Sequence, residues 1–281
     1  LTASMILDQE RDVGAMLVLL EDVSNTLRLS RELERQVTHD TLSGLANRRE
    51  LQRWLVHFLA LSRRDDSCHA LLLLDIDQFK LINDSCGPAA GDEYLRRIAA
   101  RLSSEMDGRA LFARMGSDEF AIVLEGTSIP DAHALAERLA RAVSGMAFRW
   151  GTLNFTLTAS IGIVEISSEA TDTNWLLRAV DIACYLAKEE GRNRIRVYTD
   201  SDEAVTRRRN EMEWVNEVRV ALIERRVFLF AQPISDLGGS RGLRYEVLAR
   251  LVDPDGRLHA PGAFIPALER GMRHSIPKPL A

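Results

Sequence analysis

Two short acidic segments carry the chemistry this chain offers. The first is Asp75-Ile76-Asp77, which follows the leucines of Leu71–Leu74. A continuous apolar run of that kind reads as a strand buried on both faces. Asp75 then falls at the strand's carboxyl end, the edge at which α/β sheets bind ligands. A carboxylate there is costly unless a cation or a hydrogen-bond donor meets it. The second segment is Gly116-Ser117-Asp118-Glu119, set between the apolar segments Ala110–Arg114 and Phe120–Leu124. That arrangement reads as a hairpin tip, and Gly116 suits the positive-φ position of a type II′ turn. Placed beside Asp75, Asp118 and Glu119 would offer carboxylate oxygens to a hard cation, Mg²⁺ or Mn²⁺, which keeps waters for exchange with phosphate. Taken alone, each segment reads first as a cap or a solvated acidic turn. Only their convergence makes a metal site.

The elements that must bring them together alternate along the chain. Leu51–Leu61, Gly91–Leu102, Asp131–Val143 and Trp175–Lys188 read as helices. Ala70–Leu74, Ala110–Arg114, Phe120–Leu124, Phe155–Val164 and Arg194–Tyr198 read as strands. The expectation is an α/β fold, a central sheet covered by helices. Upstream, Met16–Leu20 reads as a strand. The charged segment from Asn25 to His39 spaces Leu29, Leu33 and Val37 by four. That stripe fits either a helix that pairs with a second helix or an ordinary connector. A new unit begins near Asp200, with a helix over Glu211–Arg225, strands at Val227–Phe230 and Leu243–Leu251, and a turn at Pro254-Asp255-Gly256.

The bulk numbers narrow the function classes. A length of 281 residues fits about two domains. A net charge of −5 argues against a general nucleic-acid binder, which carries a basic face. It leaves room for a nucleotide held by a metal and a few cations. The three cysteines, Cys68, Cys86 and Cys184, have neither zinc nor disulfide spacing, which fits a reducing, cytoplasmic setting. No apolar run has the length of a membrane span. Because the first residue is Leu1, the chain is expected to be part of a longer protein, with upstream sensor and membrane segments outside it.

Asp75-Ile76-Asp77-Gln78-Phe79-Lys80-Leu81-Ile82-Asn83-Asp84, then Gly91-Asp92, then Gly116-Ser117-Asp118-Glu119-Phe120, resemble the GGDEF domain of diguanylate cyclases. His39-Asp40-Thr41-Leu42-Ser43-Gly44-Leu45-Ala46-Asn47-Arg48-Arg49 resembles the family's opening motif. Asp181–Lys188 and Gly191-Arg192-Asn193 resemble its closing one. The resemblance implies a nucleotidyl-cyclase-like, ferredoxin-like core that condenses two GTP into cyclic di-GMP. It implies that Asp75, Asp118, Glu119 and the Ile76 carbonyl hold Mg²⁺, and that Asp118 is the base for the attacking 3′-hydroxyl. Asn83 and Asp92 would read guanine, while Lys80, Lys188 and Arg192 would bind phosphates. Two domains, each holding one GTP, would meet as a homodimer aligned by the helix at 24–39.

The chain departs from the family pattern at three places. Ser117 stands where a second glycine is usual; a type II′ turn needs only the first, so the turn should survive, while close approach of nucleotide to backbone is put in doubt. Pro88 replaces a common histidine. Asp107 and Ala110 occupy the positions of an inhibitory Arg-x-x-Asp, so product inhibition through that site is expected to be absent.

The flanks carry weaker resemblances. Residues 1–23 resemble the end of a PAS sensor domain. Residues 201–281 resemble the start of an EAL phosphodiesterase domain, through Phe230-Ala231-Gln232-Pro233-Ile234 and Tyr245-Glu246-Val247-Leu248-Ala249-Arg250. Glu246 would be a metal ligand there, and Gln232 and Arg250 would touch cyclic di-GMP. Too few units are present to close a TIM-type barrel, so this segment is expected to be an incomplete barrel without phosphodiesterase activity. The domain division expected is therefore 1–23, 24–39, 40–200 and 201–281. The competing reading is a degenerate GGDEF module that binds GTP and regulates a neighbouring EAL domain; a purely structural dimerisation unit is a third.

Overall fold

A computed structural model describes residues 2–7, 13–19, 37–106, 110–234 and 244–272. The expected connector helix at 24–39 and Asp107 fall largely or wholly outside them.

Strands β1 (Thr2–Leu7) and β2 (Val13–Leu19) form an antiparallel pair. The body follows: β3 (Ala46–Asn47), α1 (Arg48–Asp65), β4 (His69–Ile76), α2 (Lys80–Cys86), α3 (Pro88–Ser103), β5 (Ala110–Gly116), β6 (Glu119–Leu124), α4 (Ile129–Ser144), β7 (Phe148–Trp150), β8 (Leu153–Phe155), β9 (Ala159–Ile166), α5 (Thr173–Glu189) and β10 (Ile195–Val197). The last part is α6 (Glu203–Ile223), β11 (Val227–Ile234), β12 (Arg244–Val252), β13 (Leu258–His259) and α7 (Pro261–Met272).

Six strands of the body make one mixed sheet in the order β10-β9-β4-β6-β5-β3. β4 lies at its centre, antiparallel to both neighbours, and every residue from His69 to Ile76 is buried. Period-two alternation splits its leucines. Leu72 and Leu74 face α2, α3 and α4, while Leu71 and Leu73 face α1 and α5. Asp75 shares the parity of Leu71 and Leu73, so it points to the α5 side. Ala121 and Val123 of β6 belong to that side too, so Glu119 shares it. Asn47, Ser128 and Asp172 cap α1, α4 and α5 by accepting from the N–H groups of Glu50, Asp131 and Trp175.

The long strand expected over Phe155–Val164 is broken. β7 and β8 close a separate hairpin, and β9 starts at Ala159. The pairing of β4 with this segment runs one step past the start of β9: the backbone N–H of Asp77 donates to the Thr158 carbonyl at 2.8 Å, in register with Ile76 and Ala159. The short helix α2 and the extension of α3 back to Pro88 also go beyond the sequence pattern. Proline at the first turn of α3 forfeits no intrahelical bond.

The C-terminal part is a three-stranded antiparallel sheet, β11-β12-β13, with α6 and α7 packed together at one end around Val218, Ala221, Leu251 and Phe264. No repeating parallel β/α unit occurs among the described residues.

Candidate functional site

The site grows from the edge where β4 ends. Asp75 pairs across the sheet with Glu119 of β6 on one side and Ser160 of β9 on the other. Cross-strand partners on one face have adjacent side chains, so β4 and β6 set Asp75 beside Glu119 without help from any loop. The Ile76 N–H donates to the Asp118 carbonyl at 3.2 Å, tying the hairpin tip to the same edge. The Ile76 carbonyl accepts a long bond of 3.4 Å from the Phe79 N–H.

The third side is α5. It lies directly on β9 because position 162 is glycine. A Cβ there would sit 2.4 Å from the Val180 carbonyl oxygen and 2.5 Å from the Cys184 nitrogen, both backbone atoms of the helix. That close approach brings the end of α5 over the acidic edge, where Lys188 Nζ donates to Asp75 Oδ2 at 2.5 Å. Burial pushes the Asp75 carboxyl up to about 6, against the pull of Lys188 and with added repulsion from Asp118 and Glu119. Burial raises Glu119 as well, followed by the nearby Asp181 carboxylate. For Lys188 burial acts to lower the pKa, and the Asp75 carboxylate more than offsets it, so the net shift is upward.

This crowding of half-buried anions is an electrostatic deficit that a cation relieves, and Lys188 relieves part of it. Among the described residues no three Asp, Glu, His or Cys side chains already converge as a metal cluster. The donor set itself, paired carboxylates beside a backbone carbonyl, suits a hard divalent ion.

The second acid of the first motif behaves differently. Asp77 is buried and accepts from Thr158 Oγ1 and Ser160 Oγ, both at 2.7 Å, and from the Asn193 N–H at 3.0 Å. Its carboxylate faces protein donors, not an open edge.

The remaining expected residues are partly assembled. Asn83 on α2 packs against Gly91, the residue before Asp92 on α3: a Cβ at Gly91 would lie 2.0 Å from Asn83 Oδ1. Glycine there leaves the space that the asparagine side chain fills. Lys80 is exposed at the start of α2, and Arg192 is exposed in the loop after α5. Gln232 and Glu246 are cross-strand partners on the separate β11–β12 sheet. Arg250 on β12 donates to the Ala249 carbonyl at 2.8 Å.

Two residues escaped the sequence reading. Arg114 is buried. It donates to the Ser117 carbonyl through Nη2 at 2.6 Å and Nε at 3.1 Å, and to Asp40 Oδ1 through Nη1 at 3.0 Å. Asp40 also accepts from the Ser43 N–H and hydroxyl. Burial would raise the Asp40 carboxyl, but the Ser43 and Arg114 donors hold it below the usual carboxylate range. Arg114 thus staples the hairpin to the opening motif. The sequence signal was Asp40 in that motif, with nothing to pair it with a residue 74 positions later.

Gly116 takes the expected positive φ, but the hairpin turns one residue later than expected. Gly116 pairs with Glu119, so Ser117 and Asp118 are the two turn residues. The left-handed turn position is Ser117, at φ 41, while Gly116 has φ 137. A residue with a Cβ therefore stands where glycine would be unstrained.

The model of the "Diguanylate cyclase, GGDEF domain" family matches residues 37–194. The chain is 35% identical over 269 residues to the cyclic di-GMP phosphodiesterase PdeB of Shewanella oneidensis, covering 95% of this chain and 31% of that protein. It is 31% identical over 243 residues to the bifunctional diguanylate cyclase/cyclic di-GMP phosphodiesterase MucR of Pseudomonas aeruginosa, covering 86% and 35%. The chain thus spans about a third of the length of these relatives. Among solved structures, the coiled coil and GGDEF domain of DgcB from Caulobacter crescentus, in complex with c-di-GMP, superposes with a TM-score of 0.57 at 27% identity, covering 62% of this chain and 94% of that one. The ordered motifs, the sheet that carries them and these matches agree: the chain belongs to the GGDEF diguanylate cyclase family.

Proposed function

We propose that residues 40–200 form a GGDEF domain that condenses two GTP into cyclic di-GMP and two pyrophosphate, in a homodimer of two half-sites. The observation that carries this reading is the acidic edge at which β4 and β6 set Asp75 beside Glu119, with the Lys188 ammonium on Asp75 and the Asp118 backbone tied to Ile76. In each half-reaction the 3′-oxygen of one GTP bonds to the α-phosphorus of the other, pyrophosphate leaves, and the hydroxyl proton passes to Asp118. Lys80, Lys188 and Arg192 bind phosphate oxygens as cations. Asn83 and the exposed Asp92 carboxylate read the guanine edge, and adenine, lacking the matching donor pair, leaves that carboxylate unpaired. Mg²⁺, or Mn²⁺, held by Asp75, the Ile76 carbonyl, Asp118 and Glu119, would neutralise triphosphate charge. The helix at 24–39 aligns two domains, and residues 1–23 and 201–281 belong to a PAS-like sensor and to an EAL-like segment that is inactive in this chain. A cytoplasmic setting suits this chemistry, and no described helix is long and apolar enough to cross a membrane.

The test is incubation with GTP and Mg²⁺ and detection of cyclic di-GMP. Asp118→Ala should cut product formation by at least about 10²-fold, the scale of a lost general base, while Glu246→Ala should leave it unchanged. GTP binding without turnover would replace this reading with the second, a regulatory GTP-binding module. Two observations favour that alternative: the strained Ser117 at the turn, and the phosphodiesterase name of PdeB.

A further inference from the structure

We infer that Asp77 is a positioning residue for phosphate binding: it latches the loop that presents Arg192. The inference rests on the reading of this domain as a GTP site and deepens it.

Asp77 is 3% exposed, and the three partners that meet it are all donors: the Thr158 and Ser160 hydroxyls and the Asn193 backbone N–H. An acceptor-only group suits this place. A carboxamide of the same shape would turn an NH₂ toward at least one donor. The hydroxyls come from the start of β9 and from the segment before it, so they belong to the rigid sheet. The N–H comes from the loop between α5 and β10, which is not rigid by composition.

That loop has three successive residues at positive φ: Gly191 at 114, Arg192 at 63 and Asn193 at 49. Two of them carry side chains, and such a conformation persists only where its surroundings impose it. The Arg192 N–H donates to the Ala187 carbonyl at 3.1 Å, the Gly191 N–H makes a long bond of 3.4 Å to the Lys188 carbonyl, and the Arg194 carbonyl at the loop's end accepts from the Ile161 N–H of β9 at 2.9 Å. The bond to Asp77 is the one that ties the loop to the sheet through a charged acceptor, the stronger kind.

The two acids of Asp75-Ile76-Asp77 therefore divide one task. Asp75 meets the Lys188 ammonium at the last turn of α5, and Asp77 holds the backbone five residues later. Between these two anchors the chain turns, and Arg192 projects there as an exposed cation. Releasing the second anchor lets the loop leave its strained shape and removes Arg192 from the phosphates.

The experiment measures Mg²⁺-dependent binding of a non-cyclising GTP analogue to the full chain by calorimetry, for Asp77→Asn, Arg192→Ala and the double variant. Asp77→Asn should weaken binding about tenfold, as Arg192→Ala does, which is the scale of one phosphate contact. The double variant should bind no more weakly than Arg192→Ala alone, the non-additivity expected when one residue acts through another. A general loss of fold would instead add to the Arg192 loss and lower the melting temperature in proportion. Unchanged affinity of Asp77→Asn, or additive losses, overturns the inference. If Asp77→Asn does not fold, Ser160→Ala removes one of the three bonds. Its smaller loss of affinity should also vanish in the Arg192→Ala background, and persistence there overturns the inference equally. Failure of the unaltered chain to bind the analogue overturns the GTP reading itself; binding by the unaltered chain with no effect at Asp77 overturns only the latch.

Discussion

β4 and β11 are both eight-residue strands built around an apolar run, and they meet opposite fates. His69–Ile76 (HALLLLDI) is buried throughout, with helices on both faces. Val227–Ile234 (VFLFAQPI) leaves Phe228, Leu229 and Phe230 48%, 73% and 52% exposed, so residues of both parities are open. Its partner β12 exposes Tyr245 and Val247 likewise. An apolar run thus reports that a strand needs cover, and says nothing about where the cover comes from. In the body, α1 and α5 on one face and α2, α3 and α4 on the other supply it. In the described C-terminal part, α6 and α7 cover only one end of the sheet. Uncovered apolar area of this kind marks a surface made for contact.

The largest expected effect tests that contrast directly. Leu72→Ala, at a position with no exposure, should cost roughly 2–5 kcal/mol through lost burial and a residual cavity. Leu229→Ala, on an open face, should stay within about 0.5 kcal/mol. Denaturant midpoints on the whole chain decide it. Equal losses would show that β11 is covered in solution and would break the comparison.

Burial also gives the body a pH response. The Asp75 carboxyl rises from 3.8 to about 6 because the folded state disfavours its charge. The folded, metal-free chain therefore binds more protons than the unfolded chain between those values, and this contribution to stability falls as pH rises through the window. A shift of that size corresponds to roughly 3 kcal/mol at most. Ligand affinity should run the other way, since a metal needs the carboxylate form. Apparent Mg²⁺ affinity should decline as pH drops below about 6, and calorimetry at pH 5 and 7.5 in the presence of GTP analogue would show it. Equal affinity at the two values would remove Asp75 from the metal set.

Much of this was legible in the sequence for a definite reason. Helix and strand positions in the body follow from periodicity, and the ordered motifs mark the acidic edge. What escaped was pairing across the chain. Arg114 and Asp40 are unremarkable singly, and their contact depends on how β3 and β5 come together. The motif marks Asp75 as a ligand and leaves Asp77 without a role; alternation puts the two on one side, and only the converging donors of Thr158, Ser160 and Asn193 close around Asp77. Gly162 lies inside a strand pattern that gives no reason for a glycine; the reason is the helix backbone packed on it. The turn register was the clearest miss. Gly-Ser-Asp-Glu admits more than one two-residue turn, and the pairing of Gly116 with Glu119 selects the one that puts Ser117 in the left-handed region.

That register makes the smallest predicted effect a sharp one. A side-chain-bearing residue in the left-handed region costs about 1–2 kcal/mol. Replacing it with glycine relieves that cost but frees the unfolded chain, which returns about 0.4–1 kcal/mol. Ser117→Gly should therefore stabilise the chain by about 0.5–1 kcal/mol. Glycine at Leu229, on an exposed strand where φ is ordinary, should have the opposite sign. The Ser117 carbonyl keeps its Arg114 donors in either variant, so the hairpin stays tied to Asp40 and the substitution isolates the strain and the Cβ. Cyclic di-GMP formation is the second readout. If the serine is what restrains turnover, Ser117→Gly raises the rate as well as the denaturation midpoint. If the midpoint rises while the rate stands still, the hairpin strain belongs to folding alone, and the limit on the site lies elsewhere along the acidic edge.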